Sequence, residues 1–281
     1  MIVCLNKSDL RNNLDGFSCS TDLGFVPTMG ALHIGHLALI NRALNENDNV
    51  VVSVFVNPTH FDNNHDLEAY PRTLENDIIK LEKLGENIIL YAPSVTDIYP
   101  EGVITEHFSF DGLDMVMEGA SRNGHFDGVA TVVRRLFEIV KPHNAYFGEK
   151  DFQQLQIVRK LVVKNKLSVN IVGCPIERDQ DGLALSSRNT RLNDELRAEV
   201  PVIFKTLSEV KQMFGNRSIE ELGNYVNKIF LSSKALNLDY FKITDEKTLS
   251  AVKSISKDKK YRAFIAAFAG ETRLIDNISL N

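Results

Sequence analysis

The chain has 281 residues, 43% hydrophobic and 25% charged, enough apolar material for one large domain or two smaller ones. Its 32 Lys and Arg against 37 Asp and Glu leave a net charge of -5, which disfavours wholesale nucleic-acid binding and leaves room only for a local basic cleft. Three scattered cysteines, Cys4, Cys19 and Cys174, form no C-x-x-C pair, so neither a disulfide scaffold nor a structural zinc site is suggested, and the odd count fits a reducing compartment. The first residues lack the basic start and apolar run of a signal peptide, and no run approaches membrane-spanning length. The expectation is a cytoplasmic protein with no membrane and no nucleic-acid partner.

In chain order, residues 1–22 predict a short strand and helix at an edge. Residues 23–26 read as a buried strand, followed by a turn and an amphipathic helix through residues 37–44. Residues 50–56 are almost continuously β-branched, as a strand covered on both faces requires, and the run stops at Asn57-Pro58. Leu74, Ile78, Leu81 and Leu84 have helical spacing and Gly85 is a stop; residues 88–91 predict a third strand and residues 103–110 a less regular one. Residues 128–140 are helical, 145–147 a short strand, 152–164 helical and 169–172 another strand. This alternation predicts an α/β domain with a mostly parallel sheet over residues 1–175, its ligand beyond the carboxyl ends of the strands. Over residues 176–281 the pattern changes to helices at 194–214 and 219–231, then strands at 239–243, 262–269 and 272–278, the last two meeting at Gly270-Glu271: a smaller α+β domain.

The stretch Pro27-Thr28-Met29-Gly30-Ala31-Leu32-His33-Ile34-Gly35-His36 runs from strand through turn into helix. Histidines three apart share a helix face, and a helix N-terminus favours anions. The same four residues also fit a plain surface histidine pair. Gly148-Glu149-Lys150-Asp151-Phe152-Gln153-Gln154 forms a second such corner, with Lys150 as a mobile cation, although helix capping explains the pattern equally well. Asp181-Gly182-Leu183-Ala184-Leu185-Ser186-Ser187-Arg188-Asn189 brings hydroxyls, a guanidinium and an amide after a glycine turn; it fits a phosphate loop or a serine-capped helix start. The loop from Gly119 to Gly128 carries Arg122 and His125 and says little alone.

Taken together, the stretches from Pro27 to His36, Val54-Phe55-Val56-Asn57-Pro58, Tyr70-Pro71-Arg72-Thr73, Gly124-His125-Phe126-Asp127-Gly128-Val129, the run from Phe147 to Gln154 and that from Asp181 to Asn189 occur in one order across the chain, ending in Arg273-Leu274-Ile275-Asp276-Asn277. The sequence thereby resembles the pantoate–β-alanine ligase (pantothenate synthetase) family of the nucleotidylyltransferase superfamily. The resemblance implies a Rossmann-like N-terminal domain that binds ATP and pantoate, a C-terminal lid, a homodimer, and Mg²⁺-dependent use of ATP to join (R)-pantoate to β-alanine through a pantoyl adenylate. It implies His36, His33, Lys150 and Arg188 as catalytic. It implies ATP contacts from Pro27, Met29, Gly30, Ala31, Leu32, His33, Ile34, Gly35 and His36, from Gly148, Glu149, Lys150 and Asp151, from the backbone at Glu177, and from Leu185, Ser186, Ser187 and Arg188. Substrate contacts fall to Asn57, His60, Gln154 and Arg122, with Mg²⁺ carried by the ATP phosphates and no protein metal ligand.

The residue types suit this chemistry, because a carboxylate attacking a phosphate brings two anions together and needs cations and N–H groups to offset their repulsion. One position departs from the family pattern: Asn57-Pro58-Thr59-His60-Phe61 stands where the family usually has Asn-Pro-Met-Gln-Phe. Neutral histidine offers one donor and one acceptor and replaces the amide in part. A nucleotidylyltransferase with a different product, a fragment of a class I aminoacyl-tRNA synthetase and a catalytically inactive nucleotide-binding module are the competing readings.

Overall fold

The computed structural model describes residues 1–17, 21–60, 67–68 and 70–281, and of His60 the backbone alone. The chain folds as two compact units: Met1–Glu149 with Gln154–Pro175, and Lys150–Gln153 with Ile176–Asn281.

In the first unit β1 (Ile2–Cys4), β2 (Leu23–Thr28), β3 (Asn49–Val54), β4 (Ile88–Tyr91), β5 (Asn144–Gly148) and β6 (Asn170–Cys174) form a 6-stranded sheet in the order β1-β4-β3-β2-β5-β6. Every pairing is parallel. At one edge β1 leads into the short helix α1 (Lys7–Leu14). From β2 the chain builds β3 and β4 on one side, then crosses back to build β5 and β6 on the other. The order therefore reverses between β2 and β5, and the carboxyl ends of these two strands frame the crevice in which such sheets bind ligands. Val50 and Val52 face α2 (Ile34–Glu46) and α3 (Leu74–Glu82), packing with Ile40, Ala43, Leu81, Ile88 and Leu90 in one buried cluster. The alternate residue Val51 points to the opposite face and is also fully buried. That face is covered by α4 (His125–Val140), whose Phe137 meets Phe25 of β2 edge to face at 6.1 Å. Burial on both faces is why β3 reads as an almost continuous apolar run, interrupted at Ser53.

Residues 103–110 form no strand. Their backbone donors go to side chains of α4 instead of a neighbouring strand: Glu106 N–H donates to Thr131 Oγ1 at 2.9 Å and Phe108 N–H to Asp127 Oδ1 at 3.0 Å. Alternating apolar residues look the same in sequence whichever partner takes their N–H groups.

In the second unit β7 (Leu236–Asp245), β8 (Tyr261–Ala269) and β9 (Thr272–Ser279) form an antiparallel sheet in that order. The β8–β9 hairpin turns at Gly270-Glu271, with Gly270 at φ +57°, a left-handed conformation that glycine adopts without a Cβ clash. One face is covered by α6 (Val202–Met213) and α7 (Ile219–Ser232), which bury Ile203, Leu207, Val210, Leu222, Val226 and Phe230 against Ile243, Ala263, Ile265 and Leu274. The single helical stretch expected over 194–214 is two helices, Asp194–Glu199 and α6, broken at Val200-Pro201 because Pro201 has no N–H to continue the ladder.

Candidate active site

β2 ends at Thr28, and the next residues turn sharply. Gly30 has φ +82° and Ala31 φ +50°. A Cβ on Gly30 would lie 2.9 Å from Val54 Cγ1 and 3.2 Å from Asp77 Oδ2, so only glycine fits. Thr28 Oγ1 donates to the Ser53 carbonyl at 2.7 Å and accepts the Gly30 N–H at 3.1 Å. The chain then enters α2 through a reciprocal cap. His33 Nδ1 accepts the Gly35 N–H at 3.1 Å, and His36 Nδ1 accepts the His33 N–H at 3.3 Å.

This cap fixes the tautomers. A ring nitrogen that accepts a backbone N–H carries no proton, so in each neutral ring the proton sits on Nε2. The two rings lie 4.0 Å apart, tilted by 38°. Nε2–H is then the donor of each neutral ring, and both rings sit at a helix N-terminus, where the helix dipole favours negative charge. Capping and anion binding use different nitrogens of the same rings, so the two readings of the motif are compatible.

The turn is held by a residue the sequence pattern passed over. Asp77 of α3 is fully buried, and its Oδ2 and Oδ1 accept the N–H groups of Ala31 at 2.9 Å and Leu32 at 2.8 Å. Thr73 Oγ1 donates to Asp77 Oδ2 at 3.3 Å, and Lys80 Nζ donates to the Leu32 carbonyl at 2.6 Å. The cost of burying so polar a side chain is offset by the donors that surround it. The available signal was its position: Asp77 lies between Leu74 and Leu81 on the apolar stripe of α3, where an acid is out of place. Gly30→Ala is expected to destabilise the protein by about 1–2 kcal/mol, the cost of a left-handed L-residue. A lowered urea midpoint checks this; an unchanged one would show that the turn relaxes freely.

β5 ends at Gly148, followed by Glu149, and sheet order places this end next to that of β2. A tight 3₁₀ turn, Glu149–Asp151, leads into α5 (Phe152–Asn165). Within the second unit, the Lys150 side chain is 18% exposed and its Nζ lies 4.0 Å from Asp151 Oδ1. The Asn277 amide donates to the Lys150 carbonyl at 2.9 Å.

The loop before Leu185 is tied down at its base. Arg178 forms a bidentate pair with the buried Asp276, at 2.7 and 2.9 Å, donates to the Gly182 carbonyl at 3.0 Å and stacks on Phe204 at 3.8 Å. Arg197 pairs with Asp179 at 2.7 Å and with Asp181, whose carboxyl it holds below the usual range. Leu185 N–H donates to the Glu177 carbonyl at 2.9 Å, and the Glu177 side chain is exposed. Ser186 Oγ accepts the Arg188 N–H at 3.3 Å and caps the 3₁₀ turn Ser187–Arg191. Among the described residues, none pairs with the Arg188 guanidinium.

Of the expected substrate contacts, Asn57 is 2% exposed and its amide is engaged. Its Oδ1 accepts from Tyr99 Oη at 2.7 Å, and its Nδ2 donates to Thr59 Oγ1 at 2.8 Å and lies 3.5 Å from the Gly128 carbonyl. Gln153 is buried and Gln154 half-buried. Arg122 Nη1 lies 3.2 Å from His125 Nε2. The His60 side chain lies outside the described residues.

A parallel sheet of this order, with an imidazole-bearing helix N-terminus at its switch point, defines a Rossmann-like α/β protein. The family model for pantoate-beta-alanine ligase matches residues 3–279, and the chain belongs to this family. It is 53% identical over 281 residues, all of both chains, to a pantothenate synthetase of Flavobacterium psychrophilum. It is 52% identical over 259 residues, 92% of each chain, to one of Christiangramia forsetii. Among solved structures, pantothenate synthetase from Thermus thermophilus superposes with a TM-score of 0.91 at 41% identity, covering 100% of this chain and 99% of that one. The ligase from Francisella tularensis, crystallised with a β,γ-ATP compound and β-alanine, superposes with a TM-score of 0.82 at 36% identity, covering 100% and 98%.

Proposed function

We propose that the protein ligates (R)-pantoate to β-alanine with ATP, releasing AMP and pyrophosphate. The observation that carries this reading is the corner at the end of β2: in a chain of this family, two imidazoles 4.0 Å apart and tilted by 38° sit at a helix N-terminus, each accepting a backbone N–H through Nδ1.

In the first half-reaction, a pantoate carboxylate oxygen attacks the α-phosphorus of ATP. A P–O bond to pantoate forms, the P–O bond to the β-phosphate breaks, and pyrophosphate leaves. Negative charge grows on the phosphate oxygens, and His33, His36, Lys150 and Arg188 are the groups suited to offset it. His36 is the residue best suited to touch the reacting phosphate. In the second half-reaction, the neutral amine of β-alanine attacks the acyl carbon. The C–N bond forms, AMP departs with the C–O electron pair, and the amine loses a proton. AMP is a good leaving group, so no nucleophilic Ser or Cys is required.

The ATP contacts proposed are Pro27 and Met29 to His36, Gly148 to Asp151, the Glu177 backbone and Leu185 to Arg188. Pantoate and β-alanine fall to Gln154, Arg122, Asn57 and His60. For Asn57, whose amide already has protein partners, contact with pantoate requires a rearrangement of its Thr59 bond. Among the described residues, no group of three or more His, Cys, Asp or Glu side chains is arranged to hold a metal ion. Mg²⁺ is proposed to enter as Mg²⁺-ATP, held by phosphate oxygens and water. No helix of the described residues is long and apolar enough to cross a membrane. A cytoplasmic homodimer, with residues 176–281 acting as a lid, completes the proposal.

The test is an AMP-release assay with each component omitted in turn. AMP should require ATP, pantoate and β-alanine together for turnover; EDTA should abolish it and MgCl₂ restore it. AMP formed equally well without pantoate would overturn the reading in favour of a nucleotidylyltransferase with another product.

A further inference from the structure

Lys150 is continuous in sequence with β5, yet Lys150–Gln153 pack as part of the second unit. The contacts responsible come from β8 and β9. The Asn277 side chain donates through Nδ2 to the Lys150 carbonyl at 2.9 Å and accepts through Oδ1 from Arg262 Nη1 at 2.6 Å. The same Arg262 guanidinium lies 3.9 Å over the ring of Phe152, two residues beyond Lys150, and Phe152 also packs on Phe264 at 6.0 Å. Arg262 is itself fixed by Glu246 at 2.9 Å. Asn277 is 1% exposed, so its amide is committed to this bridge.

The preceding residue of β9 does the corresponding work for the other cationic loop. Asp276 is 4% exposed and holds Arg178 through two hydrogen bonds, and Arg178 closes the loop that leads into Leu185–Arg188. Consecutive residues of one strand thus anchor the turn that carries Lys150 and the loop that carries Arg188.

We propose that Asn277 is a positioning residue for Lys150, and that the Asp276-Asn277 pair sets the spacing of the two phosphate-directed cations on one rigid strand. This rests on the ligase reading of Lys150 and Arg188. The physical basis is that charge stabilisation of a phosphate in-line displacement depends on where the cations stand, and a displacement of about 1 Å costs about 10²-fold in rate.

Two substitutions separate this role from simple support of the fold. Asn277→Ala removes both the donor to Lys150 and the acceptor for Arg262; Asn277→Asp keeps an acceptor, now charged, for Arg262, removes the donor to Lys150 and sets an oxygen against its carbonyl. Both are expected to lower kcat for AMP release by about 10²-fold, with the KM for β-alanine unchanged and the urea midpoint of the Asp variant close to that of the parent. Adding Asn277→Ala to Lys150→Met is expected to cause no further loss, because the group being positioned is already gone. Amide exchange in residues 150–153 is expected to speed up in both single variants. Parental kcat in both variants overturns the proposal. So does a loss in the Ala variant alone, which would assign the effect to Arg262. Should the Ala variant fail to fold, the Asp variant decides. If the parent releases no pantoate-dependent AMP, the ligase reading fails, while unchanged exchange in residues 150–153 is what refutes the hold on Lys150.

Discussion

Lys150→Met is expected to lower kcat for AMP release by about 10²–10³-fold, the usual consequence of removing one donor aimed at developing charge. Methionine keeps the length and the apolar stem of the side chain and deletes the ammonium. The fold should change little, because the ammonium's 4.0 Å pair with the half-exposed Asp151 contributes little, and the buried Asp276, which also feels the Lys150 charge, keeps its bidentate partner Arg178. The loss should fall on adenylate formation, where pantoate and ATP bring two anions together. Attack of β-alanine on a supplied pantoyl adenylate starts from a neutral amine and an activated acyl group, so it should suffer less. Single-turnover rates for the two half-reactions check this. Equal losses in both would place Lys150 in general binding of the AMP moiety, and parental rates in both would remove it from the site.

Asp77→Ala is expected to impair both stability and catalysis. It leaves the Ala31 and Leu32 N–H groups without an acceptor in a buried turn, at about 1–3 kcal/mol each. A fall of about 3 kcal/mol in unfolding free energy is therefore expected. The turn that starts α2 then loses its fixed geometry, and with it the His33–His36 cap. A kcat reduction of about 10²-fold should accompany the lost stability. Asp77→Asn is the informative partner variant, because its amide retains one acceptor and sets an NH₂ against the other backbone N–H. It should destabilise less than the Ala variant and still lower kcat. Urea unfolding alongside steady-state kinetics tests both; a stable, fully active Ala variant would show that Asp77 has no part in shaping the corner.

Periodicity and turn residues carried much of the architecture. The β-branched run before Asn57-Pro58 marked a doubly covered strand, the spacing of Leu74, Ile78 and Leu81 marked a helix, and Gly270-Glu271 marked a hairpin. The two-histidine corner was legible because its parts, a strand end, a glycine turn and a helix start, are neighbours in the chain. What the sequence by itself determined was this local grammar, together with the ordered set of stretches that identifies the family.

The tertiary structure decided which distant groups complete each local element. The acceptor for Ala31 is a carboxylate 46 positions away, and the donor to the Lys150 carbonyl comes from 127 positions away. It also decided that Asn57 spends its amide on Tyr99 and Thr59, that residues 103–110 pair with helix side chains, and that Lys150–Gln153 pack with the second unit. The reason is physical. Propensity and hydrophobic period act over a few residues, whereas a buried backbone N–H or carbonyl must find a partner wherever the fold brings one within hydrogen-bonding distance. At the candidate site the imidazoles and the lysine were visible as residue types and Asp77 as an acid on an apolar stripe, but which backbone groups Asp77 and Asn277 hold was decided only when helix and strand folded against those turns.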